Sequence, residues 1–143
     1  MPQVEREIVI NAPPEKVYEV ITDYESYPQF LPEIVGVETL SRNDGEAVIR
    51  FELELIMRIS YTLRLKENGK DGVHWTLEEA KLMDANTGSW ELRSGGEPGT
   101  THVRYGLEIK LRGLIPKSVS SKLTEITLPQ TLQRFKERAE SLM

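Results

Sequence analysis

The chain has 143 residues, 38% of them apolar, with 18 basic against 23 acidic side chains and a net charge of −5. That length predicts one domain over residues 1–143 with enough chain for a core, and the negative balance argues against a nucleic-acid partner. Zero cysteines exclude a disulfide framework, a cysteine-zinc site and a thiol nucleophile, and the lack of a signal-peptide core or a membrane-length apolar run predicts a cytoplasmic protein.

Residues 3–11 alternate as a strand, with Val4, Ile8 and Ile10 on one face and Glu5 and Glu7 on the other. Two short helices are predicted next. Pro14 suits a first turn, and Val17, Val20, Ile21 and Tyr24 fall on one helical face. Asp23 is placed to cap a second helix carrying Tyr27, Phe30 and Leu31, and Pro32 stops it. A strand over 36–42 then turns at Asn43-Asp44-Gly45, a strong hairpin signal.

Residues 46–58 alternate at length, with Ala47, Ile49, Phe51, Leu53, Leu55 and Met57 on one face. The next strand puts Ile59, Tyr61, Leu63 and Leu65 together, then Asn68-Gly69-Lys70-Asp71-Gly72 turns. Three more strands follow, around Val73, Trp75 and Leu77; around Gly88, Trp90 and Leu92; and from Val103 through Tyr105 to Leu111. Tight turns between successive strands make an antiparallel meander. Residues 116–141 read as one long helix. It carries an apolar stripe at Val119, Leu123 and Ile126 and a second at Leu128, Leu132, Phe135, Ala139 and Leu142, out of step by about 200°. Pro129 sits at the break and is expected to kink the helix.

The run Ser26-Tyr27-Pro28-Gln29-Phe30-Leu31-Pro32, following Glu15-Lys16-Val17-Tyr18, resembles the START-like superfamily. Within it, the run is most similar to the branch of coenzyme Q-binding proteins, the ribosome-association toxin and the polyketide cyclase/dehydrase-like lipid-transport proteins. The resemblance implies an α+β helix-grip fold, in which a curved antiparallel sheet of six to seven strands wraps a long C-terminal helix. It also implies a cavity between the two. Where the coenzyme Q and toxin members carry a Trp or Gly and then a Cys after Leu-Pro, this chain has Glu33-Ile34 and no cysteine.

The inward face of the predicted sheet carries no carboxylate, histidine or lysine, so the strands supply no converging acid–base pair. His74 and His102 fall on outward faces and lack metal-binding spacing, so no metal or cofactor is expected. Ser118, Ser120 and Ser121 lack the glycines of a nucleophile elbow. The polar atoms on offer are the tyrosine hydroxyls of Tyr18, Tyr24, Tyr27, Tyr61 and Tyr105 and the indoles of Trp75 and Trp90. Each joins an apolar body to one polar tip, which suits a largely apolar ligand with a carbonyl or hydroxyl.

With the resemblance, this predicts binding or transport of a small hydrophobic ligand such as a lipid, a quinone or a polyketide. The candidate residues are Tyr27, Phe30, Phe51, Leu55, Tyr61, Trp75, Trp90 and Tyr105, closed from the helix by Leu128, Leu132 and Phe135. Two alternatives stay open: a polyketide aromatase/cyclase, and a ribosome-associated or other protein-interaction module. Finally, Lys110, Arg112, Lys117 and Lys122 bracket Leu114 and Ile115 with no acidic residue between. The segment reads either as a strand end and helix start covering the core, or as a lid making transient contact with anionic membrane.

Overall fold

The computed structural model describes residues 3–55, 57–113 and 115–142, without the side chains of 3, 70, 124–126 and 128. Seven strands form one open antiparallel sheet in the order β1-β7-β6-β5-β4-β3-β2. They are β1 Gln3–Ile10, β2 Ile34–Asn43, β3 Glu46–Glu54, β4 Arg58–Glu67, β5 Gly72–Ala80, β6 Met83–Ser94 and β7 Thr101–Leu111. Alternation decides which side of each strand meets the core. Ala47, Ile49, Phe51 and Leu53 of β3 and Val103, Tyr105, Leu107 and Ile109 of β7 are buried together. The other face is charged: Arg64 pairs with Glu46 and Glu78, and Arg104 with Glu5. Exposed pairs of this kind contribute little to stability and serve to keep that face in water.

Helix α1, Pro14–Thr22, starts on its proline and buries Val17, Val20 and Ile21. A 3₁₀ helix over Tyr24–Gln29 follows. Asp23 does not cap it through its side chain, which accepts a 2.7 Å bond from the Ser26 hydroxyl. Phe30 and Leu31 lie beyond the helix rather than on it. Tyr24 anchors this connection. Its ring is fully buried, its hydroxyl donates to Glu67 Oε2 at 2.8 Å, and Arg42 Nη2 donates to the same oxygen at 3.0 Å. The helix pair is thereby tied to the far ends of β2 and β4.

Two strand boundaries differ from the sequence pattern. The alternation through Leu55 and Met57 does not continue as strand, because β3 ends at Glu54 and the Leu55 N–H turns back to the Met57 carbonyl at 3.1 Å. At β6 the strand starts at Met83, before the predicted segment. An irregularity between Met83 and Ala85 in its pairing with β7 lets Met83 and Asn86, of opposite parity, both turn inward. Strands β5 and β6 pair only over 72–75 and 88–91, so they part beyond Trp75 and Gly88.

The C-terminal helix has three parts: α2 Lys117–Ser121, a π-helical stretch Lys122–Thr127, and α3 Leu128–Ser141. Pro129 has no N–H to give the carbonyl four residues back. The chain answers with the wider i to i+5 winding immediately before it. Leu123, Thr127, Thr131 and Phe135, each four residues apart, form one continuous row facing the sheet.

Candidate functional site

Between that row and the inner face of the sheet lies a cavity of about 120 Å³. Its wall is a run of aromatic rings. Tyr27 stacks on Phe51 at 5.9 Å between centroids, and Phe51 stacks on Tyr61 at 5.6 Å. Phe135 meets Tyr27 edge-on at 5.2 Å and Trp90 at 4.8 Å, and Trp90 lies 4.5 Å from Tyr105. Aliphatic side chains from β3, β4 and β7, among them Leu53, Leu63, Leu65, Leu107 and Ile109, fill the space between the rings.

The polar groups in this wall divide into engaged and free. The Tyr27 hydroxyl donates to the Ile21 carbonyl, which holds the 3₁₀ helix to α1 and leaves no proton for a ligand. Trp75 Nε1 donates to Asn86 Oδ1 at 2.9 Å. An indole N–H can only donate, so the amide oxygen must face it and the Asn86 NH₂ is left for the cavity. Asn86 is 4% exposed. Among the described residues, the hydroxyls of Tyr61 and Tyr105 have no hydrogen-bond partner, and both residues line the cavity. Burial pushes both phenols up from their ordinary value, and the nearby Glu33 adds to the rise at Tyr61. At neutral pH they stay protonated and able to donate. Glu33 itself is in the wall, with Thr127 and Thr131 near it on the helix.

Of the residues singled out from the sequence, Tyr27, Phe51, Tyr61, Trp75, Trp90, Tyr105 and Phe135 line the cavity. Phe30 does not; it packs edge-on against Tyr27 and Phe135 behind the wall, with Arg138 over its outer face at 5.2 Å. Leu55 sits in the β3–β4 connection away from the cavity, for the reason given above. Leu132 is buried beside Phe135 but off the lining row. The Leu128 side chain and all of Leu114 lie outside the described residues. Ile115 packs partly buried on the core, and Arg112 pairs with Asp84 at 3.0 Å, which offsets part of the local positive charge.

Sequence reasoning missed Asn86 and Glu33. Asn86 was within reach, because it shares parity with Gly88 and Trp90. Glu33 carried no periodic signal, since it stands in the connection before β2. Its presence corrects the picture of a cavity without a carboxylate: the strands offer none, but a loop does.

This architecture, an open curved sheet gripping a broken C-terminal helix, can now be set beside known proteins. The family described as polyketide cyclase / dehydrase and lipid transport matches residues 10–136. The chain belongs to that family. Its START-like helix-grip fold is shared with a START superfamily protein from Mycobacterium smegmatis, at TM-score 0.85 and 22% identity over 99% of both chains. An aromatase/cyclase from Streptomyces sp. R1128 superposes at TM-score 0.81 and 19% identity, over 96% of this chain and 93% of that one. A STAR-related lipid transfer protein fragment from Xanthomonas axonopodis superposes at 0.77 and 17% identity, over 96% and 85%. No curated protein matches. At these identities the START-like neighbours establish the fold. No helix among the described residues is long and apolar enough to cross a membrane.

Proposed function

We propose that the protein binds and carries a small, mostly apolar ligand in the cavity between sheet and C-terminal helix. The observation that carries this reading is the cavity's lining: an aromatic and aliphatic wall holding a few polar groups without a partner among the described residues, the Tyr61 and Tyr105 hydroxyls and the Asn86 NH₂. Those groups are donors, and a ligand carbonyl or hydroxyl is what they would hold.

Size narrows the reading. A cavity of about 120 Å³ is below the ~300–1,000 Å³ of drug-sized sites and close to the ~150 Å³ that holds benzene. In this conformation it takes one ring or a short alkyl chain. The ring of a quinone or of an aromatic polyketide fits that description, while an isoprenoid tail or a full lipid needs the helix to move. The wide π-helical stretch that forms part of the wall is the natural place for such a movement. Burying ~200 Å² of one ring at ~25 cal/mol/Å² gives roughly 5 kcal/mol gross, against an association cost of at least about 4 kcal/mol. Hydrogen bonds to the free donors therefore decide whether a ring is retained.

A second reading, an aromatase/cyclase acting on a polyketide, draws support from Glu33, a carboxylate in the wall beside a protonated phenol. Transient contact with anionic membrane through residues 110–122 is a further part of the proposal, supported by the run of basic residues there. The test of binding is mass spectrometry of an organic extract of the purified protein, with tryptophan fluorescence to follow rebinding. The chain has two tryptophans and both are in the cavity wall, so the emission reports on occupancy. A stoichiometric apolar compound whose return shifts the emission supports the carrier reading. An empty extract, together with emission unchanged by any single-ring ligand, refutes it.

A further inference from the structure

We propose that Glu33 makes the cavity select ligands whose polar end donates a hydrogen bond, a hydroxyl or an ammonium group, and reject those ending in a carboxylate. The inference rests on the cavity being the ligand site.

Glu33 follows Leu31-Pro32 in the connection before β2, and the structure places it in the cavity wall. Its main chain is held firmly. The carbonyl of Glu33 accepts the Glu54 N–H at 2.7 Å, and the next residue, Ile34, pairs with Leu53 as β2 begins. The side chain is thereby aimed from a fixed point at the end of β3.

The carboxylate itself is poorly served by the protein. The Thr131 hydroxyl lies 3.3 Å from Glu33 Oε1 and 2.9 Å from the Thr127 carbonyl. One hydroxyl has one proton, and the shorter contact claims it. No ion pair to Glu33 is found among the described residues. The Tyr61 hydroxyl, raised in pKa chiefly by burial and further by Glu33, is its neighbour in the wall. A carboxylate has about four lone-pair sites, so most of its acceptor capacity is open. A hydroxyl or ammonium entering the cavity would fill it with a charge-assisted bond. A ligand carboxylate would bring a like charge beside Glu33 into a wall that offers neutral donors but, among the described residues, no cation to offset it.

The test is calorimetric titration of the full chain with four single-ring probes: toluene, benzyl alcohol, benzylamine and benzoate. We expect benzyl alcohol and benzylamine to bind more tightly than toluene, and benzoate at least about tenfold more weakly than benzyl alcohol, the scale of one charge-assisted bond. Glu33→Gln should weaken benzylamine by about tenfold, strengthen benzoate and leave toluene unchanged. Benzoate matching benzyl alcohol in the wild type, or probe ratios unchanged by Glu33→Gln, with toluene still bound, overturns the role of Glu33 and spares the cavity reading. Failure of all four probes to bind overturns both. The wild-type comparison needs no variant, so misfolding of Glu33→Gln would not remove the test.

Discussion

Gly88→Ala tests whether the cavity wall is as tightly built as the geometry indicates. A Cβ at Gly88 would stand 2.4 Å from Trp75 Cζ2, 2.8 Å from Trp75 Cε2 and 2.5 Å from the Gly106 carbonyl oxygen. Ordinary contacts are about 3.5–4.0 Å, so the indole must retreat by about 1 Å while a backbone carbonyl on β7 resists from the other side. Overpacking of this kind costs about 1–3 kcal/mol. Moving Trp75 also strains its 2.9 Å bond to Asn86, and an unsatisfied buried polar pair adds about 1–3 kcal/mol. The reduced freedom of the unfolded chain returns about 0.4–1 kcal/mol. The net expectation is a loss of about 2–4 kcal/mol, or roughly 6–12 °C in melting temperature at ~3 °C per kcal/mol. Urea unfolding followed by circular dichroism measures it, with an unchanged m-value showing that the unfolded state is not the cause. Gly113→Ala, where nothing lies within 4 Å of the new Cβ, is the control and should stay within about 0.5 kcal/mol. If Gly88→Ala is also within about 0.5 kcal/mol of the wild type, the close seating of the Trp75 indole on β6 is wrong.

Three further outcomes are expected. Tyr24→Phe should cost about 1–3 kcal/mol in urea unfolding, because it leaves the Glu67 carboxylate short of a donor at a nearly buried site; no change would deny that this bond docks the helix pair. Glu140 is held below the usual carboxylate range by Lys136 and by the Asn11 N–H at 2.8 Å. A native carboxylate with a depressed pKa contributes stability that is fully present above the unfolded value of about 4.3 and is lost as pH falls through the native pKa. Glu140→Gln should therefore lower the urea midpoint at pH 7, with the gap narrowing as pH falls below about 4.3, and a gap that does not narrow in acid would show that the ion pair is not its source. Phe135→Ala should cost about 3–5 kcal/mol while enlarging the cavity enough to admit a two-ring ligand such as naphthalene; destabilisation with no gain in naphthalene binding would place Phe135 in a solid core instead.

The antiparallel succession of β2 to β7, the helix insertion after β1 and the inward face of β3 to β7 were legible in the sequence, whereas the pairing of β1 with β7 was not. A period of two places every second side chain on one face whatever the partner strand. The Asp44–Gly45 hairpin, with Gly45 at φ 77°, and the Pro14 helix start were legible because their chemistry is local. Five aromatic residues of the wall, Phe51, Tyr61, Trp75, Trp90 and Tyr105, followed from that parity, while Tyr27 and Phe135 came from the helical pattern.

What the sequence left undecided is where chain segments distant in sequence meet. Alternation ran on through Leu55 and Met57 although the strand had ended, because a turn can carry alternating residues without pairing. The irregularity after Met83 turned two residues of opposite parity to one side, which no strict period can express. Pro129 announced a break in the helix, but not its form: the structure sets a π-helical stretch just before it, with Leu123, Thr127, Thr131 and Phe135 in one row along the cavity. The cavity's charge was decided the same way. Glu33 lies in a connection with no period of its own, and it became part of the wall only when β2 paired with β3 and α3 closed over both. The sequence by itself thus determined the faces of the strands and the apolar character of the interior, through short-range periodicity. The tertiary structure alone decided the cavity's size, which donors stay free and where the Glu33 carboxylate stands, because those depend on contacts between residues as far apart as Glu33 and Thr131.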